Sequence, residues 1–176
     1  MTMIVCAGNN ETFEFATPIG VGLIQSTINL TQFILTNKPN SLLFIGSAGS
    51  YGNHQIFDIV HSNFATNIET GFLENKCFTP LENCYVPRET SNIVNSSNYI
   101  TTSSQSSEGF ISLGIGIENM EFFAITSLAK EFNIPVEGIF IVTNYCNQDA
   151  HKDFINNHNK AKELLETYLK KREINE

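Results

Sequence analysis

The sequence predicts one α/β domain over residues 1–176, with a mixed central β-sheet and helices on both of its faces. Three observations carry this. Apolar runs of strand length stand at residues 3–7, 42–45 and 136–142. Apolar residues recur at helical spacing over 21–35, 120–132 and 149–172. The two patterns interleave along the chain, which builds helix layers on a sheet rather than a bundle or a barrel.

In order, residues 3–7 read as a strand turning at Gly8, Asn9 and Asn10, and residues 12–16 as a short returning strand before Pro18. From Val21 the residues Leu23, Ile24, Ile28, Phe33, Ile34 and Leu35 suit one wide helix face, which Asn37, Lys38 and Pro39 end. Residues 41–45 form a strand apolar enough to be buried on both faces. It breaks at Gly46-Ser47-Ala48-Gly49-Ser50, where small residues let a ligand approach the backbone. The carboxyl ends of strands are where α/β sheets bind ligands. Free N–H groups and a serine hydroxyl there suit an anion or a sugar, and a plain strand-exit turn fits equally. Residues 56–62 alternate as a strand. Residues 71–91, with Pro80 and Pro87, form an irregular excursion, and 99–102 a short strand. Residues 109–117 are glycine-rich and β-compatible. Met120, Phe123, Ala124, Ser127, Leu128 and Phe132 have helical spacing, ended by Ile134 and Pro135. Residues 136–142 form a buried strand, and 149–172 an amphipathic helix with Phe154, Ala161, Leu164, Leu165 and Tyr168 inward.

Composition excludes several classes. A net charge of −8 with ten Lys and Arg argues against nucleic acid as partner. No run of about 18 apolar residues offers a membrane span. The first residues lack the basic stretch of a secretory signal, so a cytoplasmic protein is expected. Cys6, Cys77, Cys84 and Cys146 form no CxxC pair. They read as free thiols in a reducing compartment, with a Cys77–Cys84 metal or disulfide pair as the other reading. His54/His61 and His151/His158 are read as surface residues without the carboxylate–histidine spacing of a metal site, so neither metal nor cofactor is expected. Lys170, Lys171 and Arg172 read as a solvated helix end.

Four stretches then fall in a telling order: Ile-Gly-Ser-Ala-Gly at 45–49, Phe-Asp-Ile-Val-His-Ser at 57–62, Ile-Glu-Asn-Met-Glu-Phe-Phe-Ala at 117–124, and Ile-Val-Thr-Asn at 141–144. In them the chain resembles the nucleoside phosphorylase/nucleosidase superfamily. That family includes purine nucleoside phosphorylases and methylthioadenosine/S-adenosylhomocysteine nucleosidases. Its patterns run G-S/T-A-G-G, G-D-I-V, V-E-M-E-G/A-A and S-D-x-A-D. The match covers Ile19 to the C-terminus. The resemblance implies a three-layer α/β/α fold of nucleoside phosphorylase type. It implies cleavage of the N-glycosidic bond of a purine nucleoside, a nucleoside or base as ligand with or without phosphate, and a homodimer or higher homo-oligomer.

Breaking a purine–ribose bond passes through an oxocarbenium-like sugar, so the site must hold ribose and make the base a better leaving group. By resemblance, Glu121 grips the ribose 2′- and 3′-hydroxyls with Met120 packed under the sugar. Gly46 and Ser47 meet phosphate or the attacking water. Glu11 is the nearest counterpart of the glutamate that activates water, and Glu14 the next. The residues alone also allow Glu121 as a solvated first-turn glutamate and Ser47 as a turn serine. Two aspartates of the nucleosidases, the first of them the proton donor to purine N7, are replaced by Asn144 and Asn147. Asparagine is no general acid, but its amide can donate to N7. Trimeric phosphorylases also carry Thr-Asn there and prefer 6-oxopurines. Glu118 flanks the base position and suits the N1–H of a 6-oxopurine; capping the helix near Met120 is its other reading. Asn119 stands where the family's first glutamate belongs. Asp149 reads as a displaced acid or as an N-cap. Phosphorylases ring phosphate with arginine. Here the arginines are Arg88 and Arg172, and no basic residue precedes Lys38. The balance favours hydrolysis, or binding without turnover, over phosphorolysis.

Overall fold

A computed structural model describes residues 1–81 and 92–175. Cys84, Pro87 and Arg88, and with them the Cys77–Cys84 pairing, lie outside the described residues. The elements follow as β1 (Thr2–Cys6), β2 (Thr17–Pro18), α1 (Gly22–Asn37), β3 (Ser41–Ser50), β4 (Ile59–Ser62), β5 (Ala65–Thr66), α2 (Thr70–Leu73), β6 (Ile93–Asn95), α3 (Ser104–Ser112), β7 (Ile115–Glu118), α4 (Phe122–Glu131), β8 (Val136–Tyr145) and α5 (Ala150–Asn175). The strands join in one mixed sheet, β2-β1-β3-β7-β6-β5, with β8 pairing both β3 and β4.

Strand alternation sorts the core into two layers. On one face Leu42, Phe44 and Ala48 of β3 join Phe140 and Val142 of β8, covered by Leu30 and Ile34 of α1 and by Phe122, Ile125 and Ala129 of α4. On the other face Ile45, Ile139 and Ile141 meet Ala161, Leu165 and Leu169 of α5. Helices on both faces of a mixed sheet are the three layers that the sequence predicts.

Strand β3 positions the site. Its first half pairs with parallel β1, Phe44 opposite Val5, and its end pairs with antiparallel β7, Gly49 opposite Glu118. Both partners lie on the same edge, because β8 runs along the other edge of β3 from Leu42 to Ser50. The β1 and β7 ladders therefore part between Phe44 and Gly49. The expected break at Gly46 does not occur: the strand runs on through Gly46 to Ser50. It continues because β8 supplies a partner for every residue from Leu42 to Ser50, with one bulge at Ala48/Gly49. Small residues there admit neighbours, since a Cβ on Gly49 would lie 2.8 Å from the Cys146 sulfur.

Other expectations are corrected. Residues 12–16 are not a strand; Phe13 and Ala16 are buried as a turn, and β2 is Thr17–Pro18. Residues 99–102 form no strand, whereas β6 just before them does. Residues 109–117 are strand only from Ile115; 109–112 end helix α3, which Ser103 caps by accepting the Ser106 N–H at 3.3 Å and Gly114, at φ 78°, terminates. Helix α1 buries Gly22, Ser26, Leu30 and Ile34, leaving Ile24 (71 %), Ile28 and Leu35 exposed. Leu164 faces outward and Leu169 inward. Arg172 is no free helix end, for its guanidinium grips Glu137 with two bonds of 3.0 Å. His61 joins Glu137 at 2.8 Å and the Tyr168 hydroxyl at 2.7 Å.

Candidate active site

Where the β1 and β7 ladders part, the backbone of Ser47 needs partners other than strands. Glu11 and Asn119 supply them. Ser47 N–H donates to Glu11 Oε2 at 3.4 Å, and the Asn119 amide donates to the Ser47 carbonyl at 3.1 Å. The Ser47 hydroxyl donates to Glu11 Oε1. The cradle of free N–H groups expected here is thus taken, at Ser47, by a carboxylate of the protein. Glu11 is held in place by the turn after β1, where its own N–H donates to the Gly8 carbonyl at 2.9 Å.

Beside Ser47 lies a cavity of about 280 Å³ lined by Glu11, Ser47, Gly49, Glu118, Met120, Glu121 and Asn144, with His151, Phe154, Val21, Tyr99 and Ile100 among the others. Six of the seven residues singled out by sequence and resemblance come together here. Gly46 does not line it; it sits behind, where a Cβ would lie 3.1 Å from the Phe44 ring and 3.2 Å from a Glu11 oxygen. Glu14 is exposed and outside the cavity. Among the described residues, no Lys or Arg lines it.

Glu121 is 3 % exposed, which overturns the solvated first-turn reading. It is the N-cap residue of α4, and its Oε1 accepts the Gly22 N–H at 2.8 Å. Burial pushes its carboxyl up to about 7; the Gly22 N–H opposes the rise and the nearby Glu11 charge adds to it. Burial also raises Glu11, against the Ser47 bonds and the His158 charge.

Glu118 does not cap α4. Asn119 does, its Oδ1 accepting the N–H groups of Glu121 at 2.9 Å and Phe122 at 3.0 Å. Glu118 instead accepts the Tyr51 hydroxyl at 2.9 Å and the Thr101 N–H at 3.0 Å. Burial raises its carboxyl and, with the Glu118 charge beside it, also the Cys146 thiol. Asn144 follows the bulge in the β3–β8 pairing, where Thr143 is the extra residue. The Thr143 hydroxyl donates to Asn144 Oδ1 at 2.9 Å, and Asn157 of α5 donates to the Thr143 carbonyl at 2.9 Å. Asn147 lies outside the cavity and accepts the Asp149 N–H at 2.9 Å. The Asp149 carbonyl begins α5 by accepting the Asp153 N–H at 2.9 Å. Thr143, Asn157 and Gly22 are supports whose roles the sequence alone does not show. Gly22 and Glu121 are distant in the chain, and nothing local marks Asn157 as the partner of Thr143.

By sequence the chain matches no family model and no curated protein. Solved structures match it along nearly its whole length. A mutant methylthioadenosine nucleosidase of Helicobacter pylori, with 5'-methylthioadenosine in its active site, superposes with a TM-score of 0.77 at 15% identity, covering 97% of this chain and 96% of that one. A futalosine hydrolase mutant of Helicobacter pylori gives 0.78 at 15% identity, covering 96% of each chain. The nucleosidase of S. pneumoniae with a transition-state inhibitor gives 0.74 at 13% identity, covering 96% of each chain. The fold is that of these nucleosidases. The three-layer arrangement implied by the four sequence stretches is thereby shown as a nucleoside phosphorylase/nucleosidase fold. In this nucleosidase fold the cavity opens at the carboxyl ends of β1, β3 and β8. Among the described residues no helix is long and apolar enough to cross a membrane.

Proposed function

We propose that the chain hydrolyses the N-glycosidic bond of a purine nucleoside. The observation that carries this is the Glu11 carboxylate against the Ser47 hydroxyl, in one cavity with the buried Glu121 and, among the described residues, without a lining Lys or Arg. Water held by Ser47 and Glu11 attacks the anomeric carbon and gives its proton to Glu11. The bond to N9 breaks, and its electron pair leaves with the base. The Asn144 amide donates to N7 of the departing base, which takes its proton from solvent. Glu121 holds the ribose hydroxyls over Met120, and Glu118 faces the base edge, where it favours the N1–H of a 6-oxopurine. Cleavage by phosphate has less support, because a dianion calls for Lys or Arg donors, and none lines the cavity among the described residues. Incubation with inosine, guanosine, adenosine and methylthioadenosine, with and without phosphate, tests the reading. Free base without phosphate is expected, and no base release from any of them overturns it.

A second reading, binding without turnover, is favoured by Asn144 itself. Its amide cannot give up a proton, and its oxygen already accepts the Thr143 hydroxyl. Nucleoside-induced thermal stabilisation with no base release distinguishes it. A homodimer or higher homo-oligomer belongs to the same proposal. The uncharged outer face of α1, with Ile24, Ile28 and Leu35 exposed, supports it, and sedimentation tests it.

A further inference from the structure

Helix α1 begins without a cap of its own. Its N-cap, Val21, makes no side-chain bond. Its first two N–H groups reach across the fold instead: Gly22 donates to Glu121 Oε1 at 2.8 Å and Leu23 to Asn98 Oδ1 at 2.9 Å. Glu121 is at the same time the N-cap residue of α4. Asn119 accepts the first N–H groups of α4, so the Glu121 carboxylate is left to cap α1, whose positive end favours its ionised form. Gly22 can donate in this direction because it sits at φ 80°, a left-handed conformation that side chains disfavour. A Cβ there would also lie 2.8 Å from Asn98 Oδ1.

We propose that Gly22 is a positioning residue for Glu121: its N–H fixes one carboxylate oxygen on α1, which orients the group in the cavity. This rests on the reading of Glu121 as the ribose-holding residue. Among the described residues, the other charged or titratable groups lining the same cavity are Glu11 from the segment after β1, Tyr99 from the segment after β6, Glu118 of β7 and His151 of α5. Helix α1 contributes no charged residue of its own. The contact therefore opposes both burial and the Glu11 charge in keeping Glu121 ionised near neutral pH.

The test pairs Gly22→Ala with Asn98→Ala and follows two readouts. The first is the titration of the Glu121 carboxyl carbon by NMR in the ligand-free protein, assigned by its loss in Glu121→Gln. The second is nucleoside affinity as a function of pH. In Gly22→Ala the midpoint should rise above its value of about 7. Affinity for inosine should fall about tenfold or more at pH 7, a charge-assisted contact having been displaced. Asn98→Ala, which removes only the Leu23 cap, should leave both readouts in place. An unchanged midpoint and affinity in Gly22→Ala overturn the proposal. Equal changes in the two variants overturn it as well, because a loosened helix start would then be the cause. Should Gly22→Ala not fold, the double variant Gly22→Ala with Asn98→Ala, which removes the 2.8 Å clash with Asn98 Oδ1, replaces it and is read by the same two outcomes. If the wild type binds no nucleoside, the proposed function fails on that result, and the titration alone decides the role of Gly22.

Discussion

Replacing Glu121 with Gln separates what this side chain does for a ligand from what it does to the fold. Burial holds its carboxyl at about 7, against an ordinary 4.5. The folded chain thus keeps a proton there that the unfolded chain releases, so stability falls as pH rises between these values and levels off above them. At 1.36 kcal/mol per tenfold, the gap is worth about 3 kcal/mol. Glutamine keeps an oxygen for the Gly22 N–H but never ionises, and escapes that loss. The variant should therefore be more stable than the wild type by about 2–3 kcal/mol at pH 8, and nearly equal to it at pH 4.5. Urea unfolding at the two pH values measures this; in melting temperature the gain at pH 8 is roughly 5–10 °C. Nucleoside binding should weaken by about 2–3 kcal/mol, because a charge-assisted bond becomes a neutral one. A Gln variant no more stable at pH 8 refutes the buried, uptitrated carboxyl. Undiminished nucleoside binding by a folded variant refutes the sugar grip.

Glu11→Gln should lower turnover by about 10²–10⁴-fold with binding largely kept, as expected on loss of a general base, and steady-state kinetics measure the split. Burial raises the Glu11 carboxyl, so the acid limb that it adds to the pH profile of kcat at saturating nucleoside should lie above the ordinary glutamate range and be lost in the variant, while the binding limb from Glu121 remains. Phosphate should neither stabilise the protein nor speed base release, and ribose 1-phosphate as main product would contradict this. Asn144→Asp should shift preference from inosine toward adenosine, because a carboxyl can carry the proton for N7; equal use of both nucleosides by the wild type counts against base reading by Asn144 and Glu118.

Elements whose period is set by burial on their own residues were legible in the sequence: β1, α1, α4, β8 and α5. Strands β5 and β6 are too short to show any period, and α3 resembles a strand until its Ser103 cap is seen. The apolar residues of α1 suggested a wide inward face, yet its inner line is Gly22, Ser26, Leu30 and Ile34. Small residues bring the helix close to α4, and bulky ones are left outside. In the site, the order of the motifs predicted which side chains gather at one cavity. The geometry between them was not legible. The Gly22–Glu121 bond spans 99 positions, and the Ser47–Glu11 bonds span 36, distances over which a single sequence carries no pairing signal.

The continuity of β3 bears on how such a protein can change over generations. The floor of the cavity and the centre of the core are one strand, Phe44 buried on the helix side and Ser47 three residues later at the cavity. Substitutions on that strand are filtered first by folding, so it is a poor place for new specificity to arise. The surrounding segments, at 97–101 and 147–151, carry lining or supporting groups without building the central ladder. Descendants of this chain should therefore diversify at these rims and hold the 44–50 strand nearly constant, even where they come to take a different ligand.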